Sequence, residues 1–356
     1  LPIMRGKNTY SCLASTGAGK TEILFHAINH CLLLNKAVLI VSPRKEVVLE
    51  LTSRLQKVFP QEKIVSLHGE SWQKGEISRL VVATTHQALN LYRYFDLVVI
   101  DEVDAFPYPN SPMLHRAVAQ ARLPNGQMIY LTATPPKNLL QQVRQGSAEL
   151  IKIPCRHHGY PLVVPQVKID KRIQKQIEDH IMPKEMRRFI DHLVQTDRQG
   201  FLFVPRIEWI SPIVAMIDQY MDQRKQVAGV YANDPERNKK IEAFRERKIR
   251  LLVTTTILER GVTMPSIDCF VCQADAGVFD ESTLVQIAGR AGRSSHDPNG
   301  LVIYFSQSRT RAMVEAIKQI EGMNRIARQK GYIKDHGKAK RHRLLHRVIT
   351  YWMNGK

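Results

Sequence analysis

The sequence predicts an α/β protein of two tandem domains, each a parallel sheet with helices on both faces. Three observations carry this reading. Short runs rich in Val, Ile and Leu recur along the chain, and most are separated by segments of helical periodicity. Those runs are apolar throughout rather than alternating, as strands covered on both faces are. At 356 residues the chain also exceeds what one hydrophobic core usually serves.

The elements follow in order. "TYSCLAS" reads as a strand that enters a glycine-containing turn and then the helical "KTEILFHAINHCLLL". "KAVLIVS" is a second strand, followed by the helical "RKEVVLELTSRLQKVF". "KIVSLHG", "RLVVATT", "FDLVVID" and "QMIYLTA" complete the strands of the first half. In the second half "GFLFVP", "VAGVYA", "RLLVTTT", "DCFVCQA" and "GLVIYFS" read as strands. The segment Ile151 to Gln166 holds four prolines or glycines and no periodicity, so it reads as linker. The expected layout is a first domain over 1–150, a linker region over 151–168, a second domain over 169–308 and a basic extension over 309–356. Met313, Ala316, Ile317, Ile320, Met323 and Ala327 recur at spacings of three and four, which makes Arg309–Gln329 an amphipathic helix.

Charge speaks to partners. The net charge is +19, and Arg309 to Lys356 alone carries 13 Lys or Arg against three Asp or Glu. So one-sided an excess points first to nucleic acid and second to an anionic membrane surface. No apolar run reaches the roughly 18 residues of a membrane span, and no signal-peptide pattern opens the chain, so a soluble cytoplasmic protein is expected. Five scattered cysteines do not make a disulfide framework and suit a reducing compartment. Cys269 and Cys272 form a lone CxxC inside an apolar run; two core thiols are expected there rather than zinc.

Two stretches carry chemistry. In "ASTGAGKTE", residues 14–22, Gly17 and Gly19 let the backbone curl so that its N–H groups surround phosphate oxygens. The start of the following helix adds its positive end, Lys20 reaches the terminal phosphates, and Thr21 offers a hydroxyl to Mg²⁺. In "LVVIDEVDAFPYP", residues 97–109, an apolar strand delivers Asp101, Glu102 and Asp104 to one spot. Such crowding is costly unless a cation sits there. Asp101 suits water-mediated Mg²⁺ binding and Glu102 suits activation of a water. "FPYP" offers either a stacking surface for bases or a packed turn, and the packed turn is the favoured reading.

In this order the motifs resemble a superfamily 2 helicase core. "ASTGAGKTE" is similar to motif I, "SPRKEVVLEL" to Ia, "TTHQAL" to Ib, "DEVD" to II and "TATPP" to III. "FLFVPRIEW" resembles motif IV, "TTTILERGV" motif V and "QIAGRAGRS" motif VI. Within that superfamily, "DEVDAFPY", "LTATPP" and "TTTILERGVTMP" resemble the late-competence DNA-uptake ATPases of Gram-positive bacteria, the ComFA family; the primosomal replication-restart helicase is the nearest alternative.

The resemblance implies two RecA-like domains with an ATP site in the cleft between them. It implies catalysis by Lys20, Asp101, Glu102, Gln286, Arg290 and Arg293, the two arginines sharing a helix face as arginine fingers. It implies ATP contacts from Thr16, Gly17, Ala18, Gly19, Lys20, Thr21, Glu22 and Gly261, with Thr21 and Asp101 on Mg²⁺. Nucleic-acid contacts would come from Pro43, Arg44, His68, Gly69, Thr84, Thr85, Arg206, Thr254 and Thr255, and coupling from Thr132 and Thr134. Thr263 departs from the family's usual aspartate. The family's cysteine-rich zinc segment and adenine-recognising segment, upstream of motif I, have no counterpart, which implies a chain cut short at that end; ATP and Mg²⁺ are the expected cofactors, and zinc is not supported.

The implied partners are single-stranded DNA, a membrane DNA-uptake channel and other competence proteins, with peripheral association at the inner face of the membrane. Oligomeric state is not legible. The competing functional readings are a replication-restart or RNA helicase and an ATP-gated clamp on single strands.

Overall fold

A computed structural model describes residues 9–14, 20–71, 75–76, 78–132, 134–156, 158–221, 226–256 and 266–333. The chain divides after His157 into two compact units.

In the first unit the order is β1 (Thr9–Ala14), α1 (Lys20–Leu33), β2 (Val38–Ser42), α2 (Lys45–Val58), β3 (Ile64–Leu67), β4 (Leu80–Thr84), β5 (Phe95–Ile100), α3 (Pro112–Ala121), β6 (Arg122–Thr132), α4 (Lys137–Arg144) and β7 (Glu149–Ile153). The strands form one sheet in the order β3-β4-β2-β5-β6-β1-β7, and every pairing is parallel. Side-chain parity explains the uniformly apolar strands. Val38 and Ile40 of β2 join Leu80, Val82, Leu97 and Val99 in one core with α1 and α2. Leu39 and Val41 join Val81, Ala83, Val98 and Ile100 in another with α3. Successive residues alternate faces, so a strand lined by two cores is apolar at every position.

The second unit contains β8 (Gln166–Ile169), α5 (Ile173–Glu178), α6 (Lys184–Gln195), β9 (Gln199–Phe203), α7 (Ile210–Tyr220), β10 (Val227–Val230), α8 (Arg237–Arg245), β11 (Leu251–Thr254), β12 (Ile267–Cys272), α9 (Glu281–Ala288), β13 (Val302–Ser306) and α10 (Arg311–Gln329). Its sheet order is β10-β11-β9-β12-β13-β8, again all parallel. The starts of α9 and α10 are capped by side chains: Asp280 Oδ1 accepts from the Thr283 N–H at 2.8 Å and Thr310 Oγ1 from the Met313 N–H at 3.4 Å. The stripe expected on the last helix is its packing face, with Met313, Ala316, Ile320, Met323 and Ala327 buried and Ile317 half-buried. That helix is therefore an integral layer of the second unit.

Two strands escaped the sequence reading. β7 and β8 lie at sheet edges, where only one neighbour is needed, and apart from the buried Ile153 their residues are half-buried or exposed. They carry no buried apolar run and fall at the two ends of the expected linker.

Candidate functional site

In a parallel sheet all strand tips emerge along one edge. The chain leaves β1 and returns at β2, three places away in the strand order, so the neighbours of β6 head in different directions. This reversal is the position at which open α/β sheets form a crevice. β1 and β5 flank β6, so the glycine-rich segment after Ala14 and the acidic run after Ile100 leave the same edge. Thr16, Gly17, Ala18 and Gly19 lie outside the described residues. Lys20, Thr21 and Glu22 open α1, the helix expected after the glycine-rich segment, and their side chains fall outside the description.

The acidic run is held in a definite shape. The Asp101 N–H donates to the Val41 carbonyl at 2.8 Å, and Asp101 Oδ1 accepts from the Glu102 N–H at 2.9 Å. Glu102 has φ of 55°, a left-handed conformation that costs a non-glycine residue about 1–3 kcal/mol. Arg44, just past β2, places Nε 3.9 Å from Glu102 Oε2. The Val103 N–H donates to the Leu131 carbonyl at 3.3 Å, and Thr132 Oγ1 donates to Asp104 Oδ1 at 2.9 Å. Thr132 Oγ1 also accepts from the Thr134 N–H at 2.9 Å. Of the two expected coupling threonines, Thr132 thus bonds the acidic run directly, and Thr134 bonds Thr132. The sequence reading assigned no partner to Asp104; the i+3 spacing within "DEVD" was the only signal. Asp101 is a hard oxygen donor at the strand tip and suits Mg²⁺ bound through water.

Other predicted residues distribute along the same edge. Pro43 and Arg44 follow β2, His68 and Gly69 follow β3, and Thr84 and Thr85 end and follow β4. Pro43, Arg44 and His68 are half-buried and Gly69 is exposed. Thr85 is fully buried, its N–H donating to the Ser42 carbonyl at 3.0 Å, and Thr84 is nearly so. The Thr85 hydroxyl is therefore not presented to solvent, and Thr84 offers little surface at the covered tip of β4. In "FPYP", Tyr108 packs into the core with its ring 4.5 Å from His115, and burial pushes its phenol well up. Phe106 is 76% exposed. The turn is thus half packed and half outward.

In the second unit Gln286 sits on α9, buried. The expectation that Arg290 and Arg293 share a helix face is corrected: α9 ends at Ala288, with Gly289 as its cap. The arginines lie on the turn beyond, Arg290 buried and Arg293 half-buried, with Arg293 Nε donating to the Gly289 carbonyl at 2.9 Å. Past the cap the chain changes to tighter turns, with the Arg290 N–H donating to the Ile287 carbonyl at 3.0 Å and the Ala291 N–H to the Ala288 carbonyl at 3.2 Å, and then passes through Gly292 at φ of 63°. Thr254 is buried and its hydroxyl donates to the Thr255 carbonyl at 3.1 Å; Thr255 is half-buried and Arg206 exposed. Gly261 and Thr263 lie outside the described residues.

The CxxC also resolves. Cys269 and Cys272 are three apart on β12, so their thiols point to opposite faces of the sheet and cannot share one metal ion. Burial pushes the Cys272 thiol up to about 12 and the Cys269 thiol higher still.

Residues 1–142 match the family model of the DEAD/DEAH box helicase, and residues 184–295 that of the helicase conserved C-terminal domain. Competence protein ComFA of Bacillus subtilis (strain 168) is 41% identical over 314 residues, covering 88% of this chain and 67% of that protein. Competence protein ComFA of Streptococcus pneumoniae (strain ATCC BAA-255 / R6) is 37% identical over 314 residues, covering 88% and 72%. The chain belongs to the ComFA family. Its helicase-type domains make this ComFA-family chain an ATP-hydrolysing enzyme with a superfamily 2 core. The fold has a counterpart in S. cerevisiae Dbp5 bound to RNA and ADP BeF3, with a TM-score of 0.60 and 15% identity over 94% of this chain and 92% of that one. Among the described residues of this ComFA relative, no helix is long and apolar enough to cross a membrane.

Proposed function

We propose that this chain is a nucleic-acid-stimulated ATPase that moves along single-stranded DNA and drives the uptake of transforming DNA during competence. The observation that carries the reading is the shared sheet edge: β1, which precedes the glycine-rich sequence, and β5, which precedes the Asp101–Glu102 pair, flank β6, and Thr132 links Asp104 to β6 itself.

Thr16 to Glu22 and Gly261 bind the nucleotide, with Lys20 on its terminal phosphates. Thr21 and Asp101 would hold Mg²⁺, which when bound neutralises charge on the phosphates. Glu102 accepts the proton of the attacking water, while Arg44 nearby keeps the carboxylate oriented. Gln286 orients that water or the γ-phosphate, and Arg290 and Arg293 stabilise the charge that develops on transfer. Both units must contribute for turnover, so binding and product release alternate two states of the chain. Pro43, Arg44, His68, Gly69, Arg206 and Thr255 grip the phosphate backbone, with Thr84, Thr85 and Thr254 supporting the strand tips beneath them. Thr132 and Thr134 transmit the state of the acidic run. The protein works at the inner face of the cell membrane, beside a DNA-uptake channel and other competence proteins.

The test is ATP turnover against single-stranded DNA, duplex DNA and RNA across salt concentrations. Single-stranded DNA is expected to raise turnover most, with stimulation falling as salt rises. Absence of stimulation by any strand sinks the motor reading. Vigorous separation of a tailed duplex moves the assignment to an unwinding helicase, and tight binding with negligible turnover moves it to a clamp.

A further inference from the structure

The two arginines beyond α9 are not held by a helix, so something else must fix them. The turn that carries them is packed, backbone against backbone, on the loop that follows. A Cβ placed on Gly292 would sit 2.3 Å from the Pro298 carbonyl oxygen, and one on Gly300 would sit 2.9 Å from Cβ of Ala291. The position of the 297–301 loop therefore sets the position of Arg290 and Arg293.

That loop is in turn tied to the sheet by buried charges. Asp268, fully buried at the start of β12, accepts from the Leu301 N–H at 2.8 Å, from Arg198 Nε at 2.8 Å and from His192 Nε2 at 3.0 Å. The other arms of the same Arg198 guanidinium reach the Asp297 carboxylate and the Asn299 carbonyl, the latter at 3.0 Å. Arg198 is only 14% exposed, and a fork with several donors in fixed directions suits one cation spanning a buried and a loop carboxylate.

We infer that Arg198, through Asp268 on one side and Asp297 and Asn299 on the other, is a positioning residue that sets the Arg290–Arg293 turn for catalysis. The inference rests on the proposed role of those arginines. A group held through a loop is displaced, not removed, when the latch opens, so turnover falls while nucleotide binding is kept.

Replacing Arg198 would strand the buried Asp268 charge, so the cleaner variant is Asp297→Ala, at a loop position that is 24% exposed on its side chain. ATP turnover is expected to fall between about tenfold and 100-fold, as displacement of a catalytic group by an ångström does. Affinity for a fluorescent ATP analogue and the thermal midpoint stay near the starting values, and Asp297→Glu recovers part of the loss. In an Arg290→Lys background, Asp297→Ala is expected to cost far less than on its own, since the two act through one group. Undiminished turnover in Asp297→Ala overturns the inference. So does a full additional loss in the Arg290→Lys background, or a loss matched by a lower midpoint. If Arg290→Lys itself turns over normally, the proposed arginine role falls; if it is impaired while Asp297→Ala is not, only the latch falls.

Discussion

Thr132 Oγ1 donates to Asp104 Oδ1 at 2.9 Å while accepting the Thr134 N–H at the same distance. One hydroxyl thus joins the acidic run after β5 to the segment leaving β6. A shift of either is felt by the other, because a buried hydroxyl has few alternative partners.

Thr132→Val keeps the shape and removes both bonds. It is expected to cost about 1–3 kcal/mol of stability, since one of the two lost bonds runs to a charged carboxylate. Basal turnover should survive better than stimulation by single-stranded DNA. Thermal melting and turnover with and without DNA test this; equal loss of both activities would make the threonine structural only.

Glu102→Gln keeps the side-chain volume and removes the base. Turnover is expected to fall about 10²- to 10⁴-fold, the range general-base catalysis supplies. Nucleotide affinity should persist, whereas Lys20→Ala should lose it. Turnover in Glu102→Gln near the unsubstituted rate would reassign the base.

Much of this was legible in the sequence, for a physical reason. Central strands such as β2, apolar from Val38 to Val41, carry a continuous apolar run because two cores line them, and this pattern survives in one dimension. The edge strands Glu149–Ile153 and Gln166–Ile169 lack it and straddle the two ends of the expected linker, 151–168. Arg290 and Arg293 looked like one helix face, since spacing of three fits a helix. The pattern does not report that the helix stops at Ala288 and that the chain turns through Gly292 at φ of 63°. Least legible was Arg198: its partners Asp268 and Asp297 are distant in sequence, and nothing local marks them.

The thiols make a pH prediction. Free cysteines ionise near 9, and burial holds Cys31 and Cys155 up to about 11 and Cys272 up to about 12. In the window above pH 9 the unfolded chain releases protons that the folded chain keeps, so stability falls as pH rises through it. Below that window these groups contribute no slope. The thermal midpoint is expected to be insensitive to them from pH 7 to 8 and to drop above 9. A disulfide-exchange reagent at pH 8 should label these thiols only on unfolding, and fast labelling of native protein would contradict their burial.

Two glycine-to-alanine changes should have opposite signs. At Gly292 an added methyl meets the Pro298 carbonyl oxygen at 2.3 Å with φ of 63°, and a backbone atom cannot swing aside. Gly292→Ala is expected to cost at least about 1–3 kcal/mol, the scale of a strained backbone residue, and to lower turnover by moving the arginine turn. Gly322 lies inside α10 with nothing within 4 Å of a built Cβ. There the same change removes chain entropy only from the unfolded state and should stabilise by about 0.5–1 kcal/mol without altering turnover. Denaturant midpoints of the two variants, read beside turnover, decide the matter. A Gly292→Ala protein as stable and active as the starting one would mean that the 298–300 loop yields freely, and the arginine turn would need another anchor.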